Sequence, residues 1–205
     1  MAQQTYPVDH AVYINAKPDQ AFTDYTSLLA DIQARDNQKI MLKFGPSLRP
    51  HLNHVEALNL AHLEDYDLFL KVDDDDVYRS GYVESVVKSY KEHHWDFSGS
   101  FTQGLINKEQ WHPNQRYNSL GLSPKDEALG VIEMMPPTFA FSKNAIDAII
   151  SFDLQAVEDP DQFEDILWRQ FLTADSRFKI HFRDQSEYVY QLHGQNYCLS
   201  QEVKA

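Results

Sequence analysis

At 205 residues the chain is long enough to bury a sizeable core within one domain. With 42% hydrophobic and 13% aromatic residues and only 7 glycines, its composition excludes a disordered, collagenous or fibrous chain. The 18 Lys plus Arg against 31 Asp plus Glu leave a net charge of −13, which excludes the basic footprint of a nucleic-acid binder and an electrostatic membrane anchor.

The opening residues MAQQTYPVDH have no basic stretch followed by an apolar core, so a secretory signal is not expected. No run reaches the roughly 18–20 apolar residues that a membrane span requires. Cys198 is the single cysteine, which rules out an intramolecular disulfide and a Cys-rich zinc site. A cytoplasmic protein is the simplest expectation, and a catalytic domain excised from a longer chain would look the same.

In chain order, residues 10–16 (HAVYINA) read as a first strand, and the spacing of Phe22, Tyr25, Leu28, Leu29 and Ile32 predicts a helix over 19–34. KIMLKF at 39–44 reads as a second strand closed by Gly45 and Pro46, followed by a helix over 52–64. DLFLKV at 67–72 has the length of a buried strand and ends abruptly in four aspartates; a helix over 81–92 follows. Further strands are expected at 96–101, 131–142, 178–182 and 188–192, with helices at 144–151 and 162–173. Residues 102–127 read as a long polar excursion, and long loops in compact domains are more often functional than accidental. Strands alternating with helices predict an α/β fold with a mainly parallel central sheet flanked by helices.

The run KVDDDDVY at 71–78 carries the chemistry. Ligands of parallel α/β sheets bind beyond the carboxyl ends of strands, and here an apolar strand delivers four carboxylates to such an end. Crowded like charges cost free energy unless a cation neutralises them, and oxygen ligands suit Mg²⁺, Mn²⁺ or Ca²⁺. In an extended segment Asp73 and Asp75 share one side, while Asp74 and Asp76 face the other and can cap the following turn. An acidic solvent-facing turn is the alternative.

Asp73-Asp74-Asp75 satisfies the Asp-x-Asp motif of the GT-A glycosyltransferases, and FLKVDDDDVY resembles their family 2 enzymes. It is also similar to the Lys-x-Asp-Asp-Asp-Val run of the β-1,3-galactosyltransferase type. PPTFAFSKNAIDAI at 136–149 resembles the family's strand, serine and helix that line the sugar pocket, which puts Thr138 among the substrate contacts. FEDILWRQF at 163–171 resembles the Glu-Asp pair of inverting members. There Asp165 would be the general base and Glu164 would shape the acceptor pocket. A carboxylate at a helix N-terminus is kept ionised by the helix dipole, and helix starts also favour acids for that reason alone. YQLHGQNY resembles the closing segment whose histidine completes a metal shell, which makes His193 a candidate ligand beside Asp73 and Asp75.

The resemblance implies one GT-A domain over residues 1–205, with a nucleotide-binding half at about 8–95 and an acceptor-binding half at about 96–200. It implies Mn²⁺ or Mg²⁺ as cofactor, a nucleotide-diphosphate sugar as donor (a UDP-sugar first), and a saccharide or other hydroxyl as acceptor. Asn15, Lys17 and Asp74 would contact the nucleotide; Asp76 and Trp111 would contact the substrate. The family's base-binding acid has no counterpart in Lys43-Phe44-Gly45-Pro46-Ser47. Inverting transfer is the expected reaction; a retaining transferase of the same fold, a metal-dependent phosphohydrolase or a non-catalytic cation-binding module are the alternatives.

Overall fold

Pairing starts where the apolar runs are densest. The computed structural model describes residues 4–15, 40–45, 50–61, 63–73, 76–101, 104–107, 110–113, 134–152, 164–183 and 187–192. β1 (His10–Asn15) and β2 (Ile40–Gly45) pair in parallel, His10 opposite Ile40 through Asn15 opposite Gly45. Helix α1 (Pro50–Leu58) lies against both. Pro50 suits its first position, where no N–H is needed. The expected helix over 52–64 stops early, because Leu60 and Ala61 bond back three residues to Ala57 and Leu58. A one-turn 3-10 helix, Leu63–Asp65, then leads into β3 (Leu68–Leu70).

The main sheet contains β3, β8 (Ala140–Ser142), β5 (Phe97–Ser100) and β9 (Ile180–Arg183), in that order. β8 is antiparallel to both β3 and β5, and β9 is parallel to β5. β3, β5 and β9 therefore run in one direction and end on one edge. Leu70, Ala140, Ser98 and His181 form one row across the sheet. Asp73 lies three residues, and Arg183 two, beyond that row on the same edge.

Side-chain alternation splits the core into two faces. Phe139, Phe141 and Phe97 pack with Ile146 and Ile149 of α3 (Lys143–Ile150) and Trp168 and Leu172 of α4 (Glu164–Ala174). Ala140 faces the other way, onto Tyr82, Val83 and Val86 of α2 (Tyr82–His93), together with Tyr78, Trp95 and Tyr188. Covered on both sides, β5 is buried at every position, as a sandwiched strand must be. α3 starts at Ser142, whose hydroxyl accepts from Ala145 N–H and donates to Asp96. α2 ends at His94 in the left-handed conformation, its N–H donating to Tyr90.

A second sheet orders β4 (Val77–Tyr78), β10 (Tyr188–Leu192), β6 (Gly104–Asn107) and β7 (Gln110–Pro113). β10 is antiparallel to β4 and parallel to β6. The α/β architecture is as expected, with antiparallel pairs interleaved among the parallel ones. The β6–β7 hairpin occupies part of the stretch read as an excursion. Within the described part (134–142) of the strand expected over 131–142, only Ala140–Ser142 is strand, since Pro136-Pro137 lack N–H donors and form a 3-10 turn with Thr138. The helix expected over 19–34 lies outside the described residues. Among the described residues no helix is long and apolar enough to cross a membrane.

Gly99 packs closely against Met134. A Cβ there would stand 2.7 Å from Cβ and 2.9 Å from Cγ of Met134. Met134 is itself buried, and its Cβ moves only with its backbone. Gly99→Ala is expected to lower unfolding free energy by about 1–3 kcal/mol, the usual cost of overpacking, measured by urea denaturation. An unchanged midpoint would show that the segment around Met134 gives way freely.

Candidate active site at the carboxyl edge of the sheet

Beyond β3 the backbone ladder continues for one more bond, from Lys71 N–H to Phe139 O at 2.9 Å. This bond draws Lys71 into the interior, where its side chain is 6% exposed. A buried ammonium needs a partner, and Nζ finds Asp73 Oδ1 at 2.8 Å. The Asp73 side chain keeps 34% exposure, so the carboxylate is gripped from below and open above.

Tyrosines hold both ends of the acidic run. The Tyr78 hydroxyl accepts from Asp73 N–H at 3.0 Å and donates to Pro137 O at 3.0 Å. The Tyr188 hydroxyl donates to Asp76 Oδ2 at 2.6 Å. Tyr188 stands opposite Tyr78 in the β4–β10 register, their rings 5.4 Å apart, and Tyr82 meets Tyr78 edge-on at 4.9 Å. Burial pushes the Tyr78 hydroxyl far up, and the neighbouring Tyr82 and Asp73 push it further. Tyr188 is raised well above its ordinary value by burial first, then by the charge and hydrogen bond of Asp76. Burial also raises Tyr82, against the opposing charge of Arg183.

Thr138 ends the 3-10 turn before β8. It is 0% exposed, and its hydroxyl accepts from Ser100 N–H at 2.8 Å and lies 2.6 Å from Met135 O. With no surface, that hydroxyl fixes the turn before β8. Its carbonyl accepts from Arg183.

Asp165 is the second residue of α4 and half-buried. Burial lowers the pKa of Arg169, one turn on, and the charge of Asp165 opposes that shift. α4 covers the sheet face opposite the tyrosines. Glu164 opens α4, Asn15 ends β1 opposite Gly45, and Trp111 sits on β7 opposite Ile106. Lys17, Asp74, Asp75 and His193 lie outside the described residues. Among the described residues, no group of three or more His, Cys, Asp or Glu gathers as a metal cage. Sequence reading passed over Lys71, Tyr78 and Tyr188; the Lys and Tyr that bracket the aspartates in KVDDDDVY were the available signal.

Solved structures locate the fold. Residues 1–349 of S. aureus TarS in complex with UDP-GlcNAc match with a TM-score of 0.61 at 16% identity, over 98% of this chain and 55% of that one. The same TarS segment in complex with UDP gives 0.57 at 16% identity, over 92% of this chain and 53% of that one. The chain thus spans about half the length of the TarS structures it matches. The likeness supports a GT-A-like, nucleotide-sugar-transferase fold and not the β-1,3-galactosyltransferase type. No protein-family model matches the sequence, and no curated protein matches it.

The tyrosines carry a pH signature. Folded Tyr78 and Tyr188 hold their protons more tightly than in the unfolded chain, where tyrosine titrates near about 10. Above that pH the unfolded state binds fewer protons, so stability falls as pH rises, and their contribution is complete only below it. Urea unfolding should weaken steadily above about pH 10, and Tyr188→Phe should flatten the decline. Near neutral pH the same variant should cost about 1–3 kcal/mol, for the lost bond to a carboxylate. A decline of parental steepness in Tyr188→Phe would mean that other groups set the alkaline limit.

Proposed function

We propose that the chain is a metal-dependent glycosyltransferase that moves a sugar from a nucleotide-diphosphate sugar, UDP-sugars first, to an acceptor hydroxyl with inversion. The observation that carries this reading is the acidic run held at both ends, at the carboxyl edge of a GT-A-like sheet. The donor class draws support from TarS, solved with UDP-GlcNAc and with UDP.

The donor set fits a hard divalent cation. Asp73 offers a partly exposed carboxylate with one oxygen on Lys71, and Asp76 supplies a second carboxylate three residues on. Asp73, Asp75 and His193 would hold Mn²⁺ or Mg²⁺, which supplies charge stabilisation for a leaving diphosphate. Asn15, Lys17 and Asp74 bind the nucleotide, while Asp76, Glu164 and Trp111 orient the sugar and the acceptor. Asp165 takes the proton of the attacking hydroxyl. It stands in the first turn of α4, where the helix dipole favours a carboxylate. Lys71 restrains Asp73 between turnovers.

Two variants test the reading. Asp75→Asn should abolish the Mn²⁺-dependent part of UDP binding, read by thermal shift, while the fold survives. Asp165→Asn should leave donor affinity within a few-fold and slow transfer by about 10²–10⁴, the usual worth of a general base. Parental Mn²⁺ dependence in the first variant removes the metal assignment. A near-parental transfer rate in the second, or a product that retains the anomeric configuration, removes the base.

The histidine is tested apart. If His193 is a ligand, His193→Ala should raise the Mn²⁺ concentration needed for half-maximal UDP binding, and that binding should weaken as pH falls through the imidazole range. An unchanged Mn²⁺ titration takes His193 out of the site and leaves the aspartates in place.

A further inference from the structure

Helix α2 starts behind Gly81, which has no side chain to cap the N–H groups that a first turn leaves over. The cap comes from far away in the sequence. Gln4 Oε1 accepts from Val83 N–H at 3.0 Å, the bond that a serine or aspartate at the helix start would otherwise make. Gln4 Nε2 donates to Arg79 O at 3.0 Å, the carbonyl that also accepts from Tyr82 N–H. Thr5 N–H donates to Ser80 O at 2.9 Å, and the Thr5 hydroxyl lies 2.8 Å from Glu84 Oε2. Two successive residues thus grip the chain before and after Gly81. A further hold comes from Glu187 O, which accepts from Arg79 N–H at 2.9 Å.

What is gripped lies next to the candidate site. Residues 79–81 join Tyr78, the tyrosine that holds Asp73, to Tyr82, the first residue of α2. The two buried rings meet edge-on at 4.9 Å, and Tyr6 and Val8 pack against the same cluster. The Tyr78 hydroxyl in turn accepts from Asp73 N–H. An uncapped first turn frays, and fraying here moves the ring that Tyr78 packs against. Contacts therefore run without a break from Gln4 through Tyr82 and Tyr78 to Asp73. Most of the bonds made by Gln4 and Thr5 are exposed to water, so they open well before the core does.

We infer that Gln4, assisted by Thr5, is a positioning residue for Asp73. The segment ahead of β1 is a strap that closes the start of α2 and, through the two tyrosines, fixes the acidic run for its donor. The link to a donor rests on the nucleotide-sugar reading above; the link to Asp73 rests on the contacts alone.

Amide hydrogen exchange of the full chain, followed by NMR, reads the strap at three N–H groups. Val83 is capped by Gln4, Asp73 is held by Tyr78, and Ala145 is capped by Ser142 at the start of α3, on the other face of the sheet. Gln4→Ala should speed exchange at Val83 and Asp73 by about fivefold or more, the worth of a helix cap, and leave Ala145 at its parental rate. Its affinity for UDP in Mn²⁺, by calorimetric titration, should fall by about three- to fivefold. Thr5→Val keeps the shape and removes the hydroxyl. It should act on the same two amides by a smaller factor, and it carries the test if Gln4→Ala fails to fold. Faster exchange at all three amides by one factor is global destabilisation and overturns the inference. So does faster exchange at Val83 with Asp73 unmoved, because Gln4 would then cap a helix and position nothing. Parental UDP affinity in a variant whose Asp73 amide exchanges faster overturns the positioning of the donor site. Absence of UDP binding in the parent chain sinks the donor reading instead, and the Asp73 amide still decides whether Gln4 acts on that residue.

Discussion

Three successive carbonyls, Pro137, Thr138 and Phe139, accept from the Tyr78 hydroxyl, Arg183 and Lys71 N–H respectively. Each donor comes from a different part of the fold: β4, the end of β9 and the exit from β3. The carbonyls are available because the Pro136–Thr138 turn cannot join a ladder with its own proline nitrogens. The Thr138 hydroxyl then ties that turn to Ser100 and Met135. Four aspartates in a row repel one another, and Asp73 and Asp76 are placed by anchors that are buried and mostly neutral. The turn is what those anchors hold.

The two faces of the main sheet follow from the same arrangement. Phe139 and Phe141 alternate with Ala140, so one side takes the bulk of α3 and α4 while the other leaves room for the tyrosine rings. Small Ala140 under Tyr78 and Tyr82 is as necessary as the large residues opposite. Gly99 plays the same part for Met134 on β5, where even a methyl group would collide.

Much of this was legible in the residue pattern, for reasons that differ from element to element. α2 and α3 lie within one residue of the periodicity that predicts them, because their apolar stripes face a sheet. The hairpin β6–β7 was not legible: Gln110-Trp111-His112-Pro113 has neither alternation nor a strong turn signal, and its pairing is set by β10, some 80 residues later. At the site, Asp73 announced itself through an abrupt change from apolar to acidic residues. Arg183 could not do so. In HFRD it reads as an ordinary surface charge, and only the register of β9 against β5 brings it to the edge where β3 ends.

A GT-A-like sheet does not by itself set the chemistry, since one fold hosts many reactions and the side chains decide among them. Here the decisive feature is how charge is sorted. A chain of net charge −13 repels an anionic nucleotide at long range, and salt screens that repulsion beyond roughly 8–10 Å. Attraction must then come from positive groups close to the bound phosphates, in a place where water screens them poorly. Lys71 and Arg183 are buried at the edge, while the Asp73 side chain keeps 34% exposure. Lys71 is largely spent on Asp73, which keeps the run from flying apart. Asp73, gripped by Lys71 from within and partly open to solvent, is left to favour a cation. A metal-bound diphosphate presents both charges together, and this sorting suits such a ligand better than it suits either charge alone.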